Sequence, residues 1–421
     1  WMRYTVFLTS LLRIFLTRSL QRFRFENSND LHLDFENTPH LGLYVHIPFC
    51  RSICSFCPYC KTEYEQPAAA RYKTALFKEI EIVSRQLKED KAATTLYFGG
   101  GTPATMLTDL STIINKIKAR FRIGAGIGIE LHPDDINKEV LDTLKSAGFT
   151  MVSIGVQSFD RRCLSALGRK QNNIREKLEL VREANFDVFN IDLIFAMPTQ
   201  TEKSLISDID QAFASGATQI STYPFIDFTF TDNLYKPLPE KIKKEMLNNI
   251  SRHCRETGKE RTSVWTFALK GTAVYSSVTR DNFLGFGVSA ATLLSRQFKI
   301  NTFSVDAYIR RINDNRLPTS LTLDFSLRQR AVYYLFWAAY STKIDSNQFQ
   351  EIIGEPLEKM YSFELWLAQK FGLIKKRDRL YCLTEKGAYY YHFIEQAYTT
   401  AYIDKMWNNS RLTAFPDLIE L

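Results

Sequence analysis

Short β-rich runs alternate with longer amphipathic segments between residues 43 and 223. Runs of Val, Ile, Phe and Tyr with few charges are typical of buried strands, whereas apolar residues that recur every three or four positions are typical of helices. The predicted strands are 43–47, 94–98, 127–131, 151–155, 188–194 and 219–223. The predicted helices are 71–89, 109–120, 137–147, 174–184 and 204–214. This alternation predicts an α/β fold with parallel strands joined by crossover helices.

Six strand–helix units suit either an open barrel or a doubly wound sheet. Residues with distinctive chemistry follow one predicted strand after another. They are the cysteines from Cys50, the glycines of 99–103, His132, Gln157 and Pro198. In parallel barrels the C-terminal strand ends converge on one mouth, so that chemistry at those ends shares a single site. We therefore predict a barrel with one central site.

The pattern changes after Pro237. Residues 283–291 form a glycine-containing turn segment, and from Ser326 the chain is helical and rich in aromatic residues, with a hairpin predicted at 373–383. Helices followed by a small β-wing resemble a winged-helix module, which binds DNA in some proteins and serves as a lid or docking domain in others. The predicted parts are an N-terminal helix (1–26), a linker (27–42), the barrel (43–236), an extension that closes the barrel (237–325) and a winged-helix-like domain (326–421).

The first 26 residues predict a basic amphipathic helix, because apolar side chains alternate with five arginines. The apolar run is too short to span a bilayer, and no small-residue cleavage site follows it. Two interpretations remain open. Residues 1–25 could lie on an anionic membrane surface, or the helix could pack on the protein with its arginines in water.

Composition and charge limit the classes of partner that the chain is predicted to bind. The chain of 421 residues has a net charge of +8, which permits an anionic partner, but it carries no zinc-finger or RNA-recognition signature, so a nucleic acid is not the predicted partner. Four of the seven cysteines fall within residues 50–60, and the other three are scattered. This distribution predicts metal binding in a reducing, cytoplasmic compartment. Under the first interpretation of residues 1–25, the protein would in addition associate peripherally with a membrane.

The cysteine motif is the strongest chemical signal. Cys50, Cys54 and Cys57 have the spacing C-x3-C-x2-C, and thiolates suit iron–sulfur clusters and zinc. Structural zinc usually takes two separated ligand pairs, and the remaining cysteines are isolated. Three ligands from one loop therefore predict a [4Fe–4S] cluster with one iron open to a further ligand. Cys60 either forms an alternative ligand pair with Cys57 or is a free thiol near the site.

This spacing resembles the radical S-adenosylmethionine (SAM) superfamily, in which the open iron binds SAM and electron transfer yields a 5′-deoxyadenosyl radical. The further motifs are YVHIPFC (44–50), GGGTP (99–103), IGVQSF (154–159), NIDLIFAMP (190–198) and LGFG (284–287). Together they resemble the oxygen-independent coproporphyrinogen III oxidase family, with its haem-chaperone and methyltransferase relatives, over roughly residues 40–400. The resemblance implies a partial (β/α)6 radical SAM barrel.

The resemblance also implies a role for each matching residue. Cys50, Cys54 and Cys57 would ligate the cluster, while Tyr44 would contact SAM near its sulfonium, where an aromatic face suits a cation. The residues lining the SAM backbone would be Gly100, Gly101 and Thr102. Those binding its carboxylate or ribose hydroxyls would be Glu130, Gln157, Arg169 and Asp192. From the residues alone, Glu130 and Asp192 could instead cap or pair at strand ends, and Arg169 could lie on the surface. No catalytic residue is assigned.

Three features depart from the family pattern. The oxidase spaces its third and fourth cysteines as C-x-C, whereas Pro58 and Tyr59 separate them here. The basic apolar N-terminus is not expected in the oxidase or the chaperone. Residues 288–291 read VSAA where chaperone-like members carry Gly-Ala-His, so a histidine that would favour haem binding is missing.

The leading hypothesis is radical chemistry on a tetrapyrrole-like, hydrophobic or lipid-like substrate, by oxidative decarboxylation or by methyl transfer. The cofactors would be the [4Fe–4S] cluster and one or two molecules of SAM, and the electron donor a flavodoxin or ferredoxin. A haem-trafficking protein that keeps the cluster without turnover is the alternative. The basic wing (Lys375, Lys376, Arg377 and Arg379) also permits a nucleic-acid binder, but four basic residues are usually a solvated face.

Overall fold

Six neighbouring parallel strands form the centre of the largest sheet in the computed structural model. They are β1 (Leu41–Ile47), β2 (Leu96–Gly100), β3 (Ile127–Leu131), β4 (Met151–Gln157), β5 (Val188–Phe195) and β6 (Gln219–Pro224). Each strand pairs with the next one along the chain, whereas a doubly wound sheet would reverse its order partway. The structure describes residues 2–27, 32–36, 38–170, 172–233, 235–273 and 281–421. The predicted α/β fold is confirmed, and the strand order is that of a barrel.

Further strands extend both edges of this parallel group. Next to β6 lie Thr266–Ala268 and then Glu260–Arg261, both antiparallel to their neighbours. Next to β1 lies Asn282–Phe286, which is parallel to it. The antiparallel strands beyond are Ala291–Leu294, Gln297–Asn301, Thr319–Asp324, Arg24–Glu26 and Leu418–Glu420. Among the described residues the end strands of this sheet, Glu260–Arg261 and Leu418–Glu420, do not pair with each other, so the barrel is partial and open.

Helices cover the outer face of the parallel strands and contribute residues to the core. Ile174–Ala184, for example, buries Leu178 and Val181 against the sheet and keeps its charged residues outside. The other helices around the barrel are Gln66–Ser84, Leu107–Lys118, Lys138–Ser146, Arg161–Ala166, Glu202–Ala214, Glu240–Glu256 and Val305–Asn313, with 3-10 turns at Pro103–Met106 and Pro133–Asp135. Short strand pairs join Phe49–Cys50 to Thr62–Glu63 and Lys91–Ala93 to Phe121–Ile123.

The C-terminal region has the element order of a winged helix. Its helices are Leu327–Tyr340, Ser346–Ile353 and Leu357–Lys370, and its small antiparallel sheet contains Lys343–Asp345, Ile374–Arg377 and Leu380–Leu383. The predicted hairpin is confirmed, with Asp378 in a left-handed turn (φ 52°). A separate apolar cluster, which includes Tyr334 and Phe349, forms its core. Helix Glu385–Tyr398, the π-helical turn Thr399–Ile403 and helix Asp404–Leu412 follow.

The N-terminal helix is shorter than the predicted 1–26, because it spans only Met2–Thr17. Arg18 adopts a left-handed conformation (φ 51°) that ends the helix, and the Arg13 guanidinium then donates to the carbonyl oxygens of Ser19 and Gln21. The strand Arg24–Glu26 joins the large sheet instead. None of the helices in the described ranges has the length and apolarity needed to cross a bilayer.

The predicted linker and extension differ in detail from the structure. The linker was expected to run to residue 42, but β1 already begins at Leu41. Residues 28–31 and 37 of that linker, and residues 274–280 of the extension, lie outside the described residues. The described part of the extension adds strands to both edges of the barrel, as the sheet order shows.

Gly285→Ala should destabilise the fold by about 1–3 kcal/mol, because the packing around Gly285 leaves no room for a methyl group. A Cβ atom there would lie 2.9 Å from the Cβ of Ala290 and closer still to the carbonyl oxygen of Ala291. Urea unfolding monitored by circular dichroism measures the change. Gly124→Ala is the matched control, since its Cβ would meet only the Ala93 carbonyl oxygen at 3.6 Å. Equal effects of the two substitutions would contradict this packing.

Candidate cofactor site

The mouth at the C-terminal ends of the strands contains the strand residues that keep partial exposure. Because helices cover the outer face of the sheet, these side chains face the interior. They are Tyr44 in β1, Glu130 in β3, Gln157 in β4, Asp192 in β5 and Tyr223 in β6. The charge of Asp192 acts on Glu130, so these two carboxyl groups share one cavity.

The cysteine loop begins where β1 ends. A two-residue strand ending at Cys50 pairs with Thr62–Glu63 and closes the loop at its base. The Thr102 hydroxyl donates to the Cys50 Sγ at 3.7 Å. The pKa of the Cys50 thiol is raised to about 11, chiefly by burial, and the charges of Cys57 and Cys54 contribute to the rise. The three thiols of this one loop are therefore close enough to affect one another's ionisation.

A buried guanidinium lies beside these thiols. Arg169 donates from Nη1 to the Gly155 carbonyl oxygen at 2.8 Å and from Nη2 to His132 Nε2 at 2.6 Å. Burial lowers the pKa of Arg169, while the charges of Cys54 and Cys57 oppose that shift. Within the described residues its Nε–H is buried without a hydrogen-bond partner. A buried donor of this kind can be satisfied by an anionic group of a ligand.

Tyr44 is fixed by a ring contact on one side and a hydrogen-bond chain on the other. Its ring stacks on Tyr97, with centroids 6.2 Å apart and planes inclined by 13°. His46 Nε2 lies 2.8 Å from the Cys60 carbonyl oxygen and must donate to it, so His46 Nδ1 accepts from the Tyr44 hydroxyl at 3.1 Å. Burial lowers the pKa of His46 to about 4, which keeps its ring neutral near pH 7. The partly buried Tyr44 ring therefore has one defined position at the mouth.

Two carboxyl groups of the mouth ionise close to neutral pH. Glu130 accepts from the Tyr97 hydroxyl at 3.0 Å, and burial followed by the charge of Asp192 raises its pKa to about 7. Asp192 accepts from the Ser153 hydroxyl and the Asn190 amide, both at 2.8 Å, and burial raises its pKa to about 6. Each group can therefore accept a hydrogen bond when ionised and donate one when protonated.

The glycine run after β2 makes room for the protein's own groups. A Cβ atom on Gly99 would lie 3.0 Å from Glu130 Oε2, and one on Gly100 (φ 114°) would lie 2.6 Å from the His46 ring. One on Gly101 would meet the backbone of the cysteine loop at 2.8 Å. The run thus lets the end of β2 close against β1 and the loop, a packing role that the motif alone did not reveal.

Gln157 ends β4 in the left-handed region, with φ 71°. Its amide folds back over Gly155, where a Cβ atom would lie 2.9 Å from Gln157 Nε2. Non-glycine residues in this region are strained and cluster at functional sites. These contacts link all the predicted site residues around one mouth. They are Cys50, Cys54, Cys57, Tyr44, Gly100, Gly101, Thr102, Glu130, Gln157, Arg169 and Asp192.

Comparison with known proteins identifies the domain around this mouth. Residues 44–212 match the family described as the radical SAM superfamily. The chain carries a radical SAM domain. The matched region runs from Tyr44 in β1 into helix Glu202–Ala214, so it contains the cysteine loop and the ends of β1 to β5. Membership of the superfamily implies a [4Fe–4S] cluster and SAM.

Relatives of this chain fall in two named groups. The heme chaperone HemW of Bacillus subtilis is 27% identical over 363 residues, which cover 82% of this chain and 95% of the relative. Coproporphyrinogen III oxidase, anaerobic 1, of Cereibacter sphaeroides is also 27% identical over 363 residues, covering 79% of each chain. The solved structure of the Escherichia coli coproporphyrinogen III oxidase HemN, a radical SAM enzyme, superposes with a TM-score of 0.75 at 22% identity over 92% of this chain and 98% of HemN. The fold is therefore shared with HemN.

The donor set of the cysteine loop fits an iron–sulfur cluster. In the part of the chain that the structure describes, no three His, Cys, Asp or Glu side chains converge tightly enough to hold a single metal ion. A four-iron cluster makes a different demand, because each thiolate ligates a separate iron. One loop supplies three soft thiols whose charges affect one another's pKa, and the charges of two of them act on the buried guanidinium of Arg169. Such a set of thiols can supply one ligand to each of three irons.

The residues that close the cysteine loop from outside were missed in the sequence. The Lys61 ammonium donates to the Cys57 carbonyl oxygen at 2.6 Å, and the Arg411 guanidinium donates to that of Pro58. The Tyr59 ring packs on Trp407 with centroids 6.0 Å apart. Lys61 directly follows the motif and could have been suspected. Arg411 lies 353 residues beyond its partner, so no local signal exists.

Cys60, the residue with two open interpretations, has its own partner. Its thiol donates to the Phe303 carbonyl oxygen at 3.2 Å, in the extension beyond the barrel. Burial raises the pKa of this thiol to about 11. These contacts favour the free-thiol interpretation over a ligand pair with Cys57.

Glu130→Gln should flatten the pH dependence of the stability of the cofactor-free protein. Folding raises the pKa of Glu130 from 4.5 to about 7, so the folded state binds this proton more tightly than the unfolded chain. The resulting stability is fully present below the unfolded pKa and is lost as the pH rises through the folded pKa. The variant should remove about 3 kcal/mol of that loss in stability, measured by urea unfolding below the unfolded pKa and above the folded pKa. An unchanged slope would show that Glu130 does not titrate there.

Proposed function

We propose that this protein is a radical SAM enzyme that holds a [4Fe–4S] cluster on Cys50, Cys54 and Cys57 and cleaves SAM. The observation that carries this proposal is the single mouth at which the charges of Cys54 and Cys57 act on Arg169, whose buried Nε–H has no hydrogen-bond partner among the described residues. When bound, the cluster supplies the electron that splits the sulfonium of SAM and yields a 5′-deoxyadenosyl radical.

The residues of the mouth would bind and orient SAM. The Nε–H of Arg169 would donate to the methionyl carboxylate, a charge-assisted hydrogen bond that the buried site strengthens. The partly buried ring of Tyr44 would face the sulfonium. The other polar groups, on Glu130, Gln157 and Asp192, would contact the carboxylate or the ribose hydroxyls. Gly100, Gly101 and Thr102 would line the SAM backbone.

The C-terminal helix Asp404–Leu412 would limit the access of water to the cluster. Arg411 donates to the Pro58 carbonyl oxygen, and Trp407 packs on Tyr59, so this helix contacts the C-terminal end of the cysteine loop. Exclusion of water protects a reactive radical from side reactions. The extension and the C-terminal region would thereby close the barrel.

The substrate proposed is tetrapyrrole-like or hydrophobic. The names of the relatives support a tetrapyrrole, since they are a coproporphyrinogen III oxidase and a heme chaperone. The reaction would be an oxidative decarboxylation with one SAM or a methyl transfer with two, and the electron donor a flavodoxin or ferredoxin in a reducing, cytoplasmic compartment. Residues 1–25 would add contact with a membrane surface.

Haem trafficking without turnover is the second candidate. It is favoured by the match to HemW, which extends over 95% of that protein. It is disfavoured by residues 288–291, where the histidine expected for haem binding is absent. Haem titration separates the two proposals, because tight haem binding without SAM cleavage would support the chaperone.

Product analysis separates the two reaction types. The protein is reconstituted anaerobically with iron and sulfide and then incubated with SAM and dithionite. 5′-Deoxyadenosine alone supports oxidation, whereas S-adenosylhomocysteine in addition supports methyl transfer. A cluster that yields neither product, in the presence of candidate substrates, would overturn the enzyme proposal.

Cys54→Ala should abolish both the iron–sulfur absorbance and the release of 5′-deoxyadenosine, because a cluster held by two thiolates is not retained. Cys60→Ala is the matched control, since its thiol donates to Phe303 and is proposed to lie outside the cluster. Iron content, visible absorption and chromatography of the nucleoside measure both variants. Loss of the cluster in Cys60→Ala as well would move Cys60 into the ligand set.

Arg169→Gln should weaken SAM binding by about tenfold, or about 1.4 kcal/mol, because it removes a charged donor from a buried site. Isothermal titration of the reconstituted protein with SAM gives the dissociation constant. Arg162→Gln is the control, because Arg162 is exposed and pairs with Asp160. Equal affinities of the wild type and Arg169→Gln would remove Arg169 from the SAM site.

A further inference from the structure

The N-terminal helix Met2–Thr17 turns an apolar stripe away from the protein. Phe7, Leu11 and Phe15 lie four residues apart on one face and are 62%, 49% and 41% exposed. The helix itself packs against Leu327–Tyr340 and Glu385–Tyr398. A helix that packed only against the rest of its own chain would bury its apolar face and expose its polar face.

A second helix continues this stripe. On Leu357–Lys370, Phe363 and Trp366 are 52% and 51% exposed. The Phe363 ring contacts Phe15 edge-on, with centroids 6.3 Å apart, and stacks on Trp366 at 5.9 Å. The two helices therefore form one continuous surface, although they are about 350 residues apart in sequence. The apolar patch consists of Phe7, Leu11, Phe15, Phe363 and Trp366. Contiguous exposed apolar surface of this kind marks an interaction site.

Cations border the apolar patch. The exposed Lys370 ammonium lies 4.9 Å above the Trp366 ring. The side chain of Arg18 is 54% exposed and pairs with Glu364, of which 11% is exposed, at 3.3 Å. Both cations face water and can therefore meet an external anion.

We propose that the apolar patch docks on an anionic lipid bilayer, with both helices lying in the interface. Phe and Trp side chains partition into the headgroup region, and Lys and Arg beside them attract anionic lipids. A second copy of the chain fits less well, because a two-fold interface would bring the cations of the two copies together. A nucleic acid also fits the apolar patch less well, since the exposed face of helix Leu357–Lys370 presents aromatic rings rather than phosphate-binding groups. This surface is independent of the proposed reaction.

Flotation of the full-length protein with vesicles tests this surface without SAM or substrate. Binding to phosphatidylcholine–phosphatidylglycerol vesicles should exceed binding to phosphatidylcholine vesicles and should weaken as salt is added. The double variant Phe363→Asp/Trp366→Asp and the single variant Leu11→Asp should each reduce binding at least about tenfold, because a charge must then enter the interface. Circular dichroism melts verify that both variants fold.

Leu269→Asp is the matched control, because Leu269 is 40% exposed on the strand edge beyond β6, outside the apolar patch. It should bind vesicles like the wild type. Equal binding of wild type and patch variants would overturn the proposal. So would two other results: a concentration-dependent dimer without vesicle binding, which assigns the patch to a second copy, and duplex-DNA binding that is lost in the double variant.

Discussion

Backbone pairing of β1 on both of its edges is the constraint on which the site depends. Along one edge β1 pairs in parallel with β2, and along the other it pairs in parallel with Asn282–Phe286. A strand held on both sides and buried on both faces cannot shift its register without losing hydrogen bonds and burial together. The cysteine loop starts directly after this strand, so the position of its first cysteine, Cys50, is fixed by the strand. The position of β1 therefore fixes the start of the cysteine loop at the mouth.

A buried carboxyl group secures the outer edge of that arrangement. Glu79, on the helix that follows the cysteine loop, accepts from the Gly287 amide at 2.7 Å, the Tyr308 hydroxyl at 2.6 Å and the Asn301 amide at 3.2 Å. Burial raises the pKa of Glu79 to about 7. A buried carboxyl group is tolerated only when its oxygens are satisfied, and here the donors come from the segments beyond β1. The extension is thus tied to the barrel through one side chain.

Local patterns were sufficient for the centre of the molecule and failed where distant segments decide the outcome. The predicted strand 94–98 is observed as Leu96–Gly100, a small shift, because its neighbours rather than its β-branched residues decide where the ladder begins. The N-terminal helix was predicted to be too long, since no local feature of the sequence indicates that residues 24–26 pair with the strand Thr319–Asp324. The site divides in the same way. Strand-end residues such as Glu130 follow from periodicity and motif, whereas the contact of Arg411 with the cysteine loop exists only in the folded chain.

The position of that arginine in the chain has a consequence for assembly. The ribosome produces Arg411 353 residues after Pro58, the residue whose carbonyl oxygen it binds. During synthesis the cysteine loop is consequently complete, but uncovered, for most of the time that the chain is being made. The contact between the helix Asp404–Leu412 and the cysteine loop can therefore form only after nearly the whole chain has been made. Until then the loop depends on β1 and its neighbouring strands alone for its position.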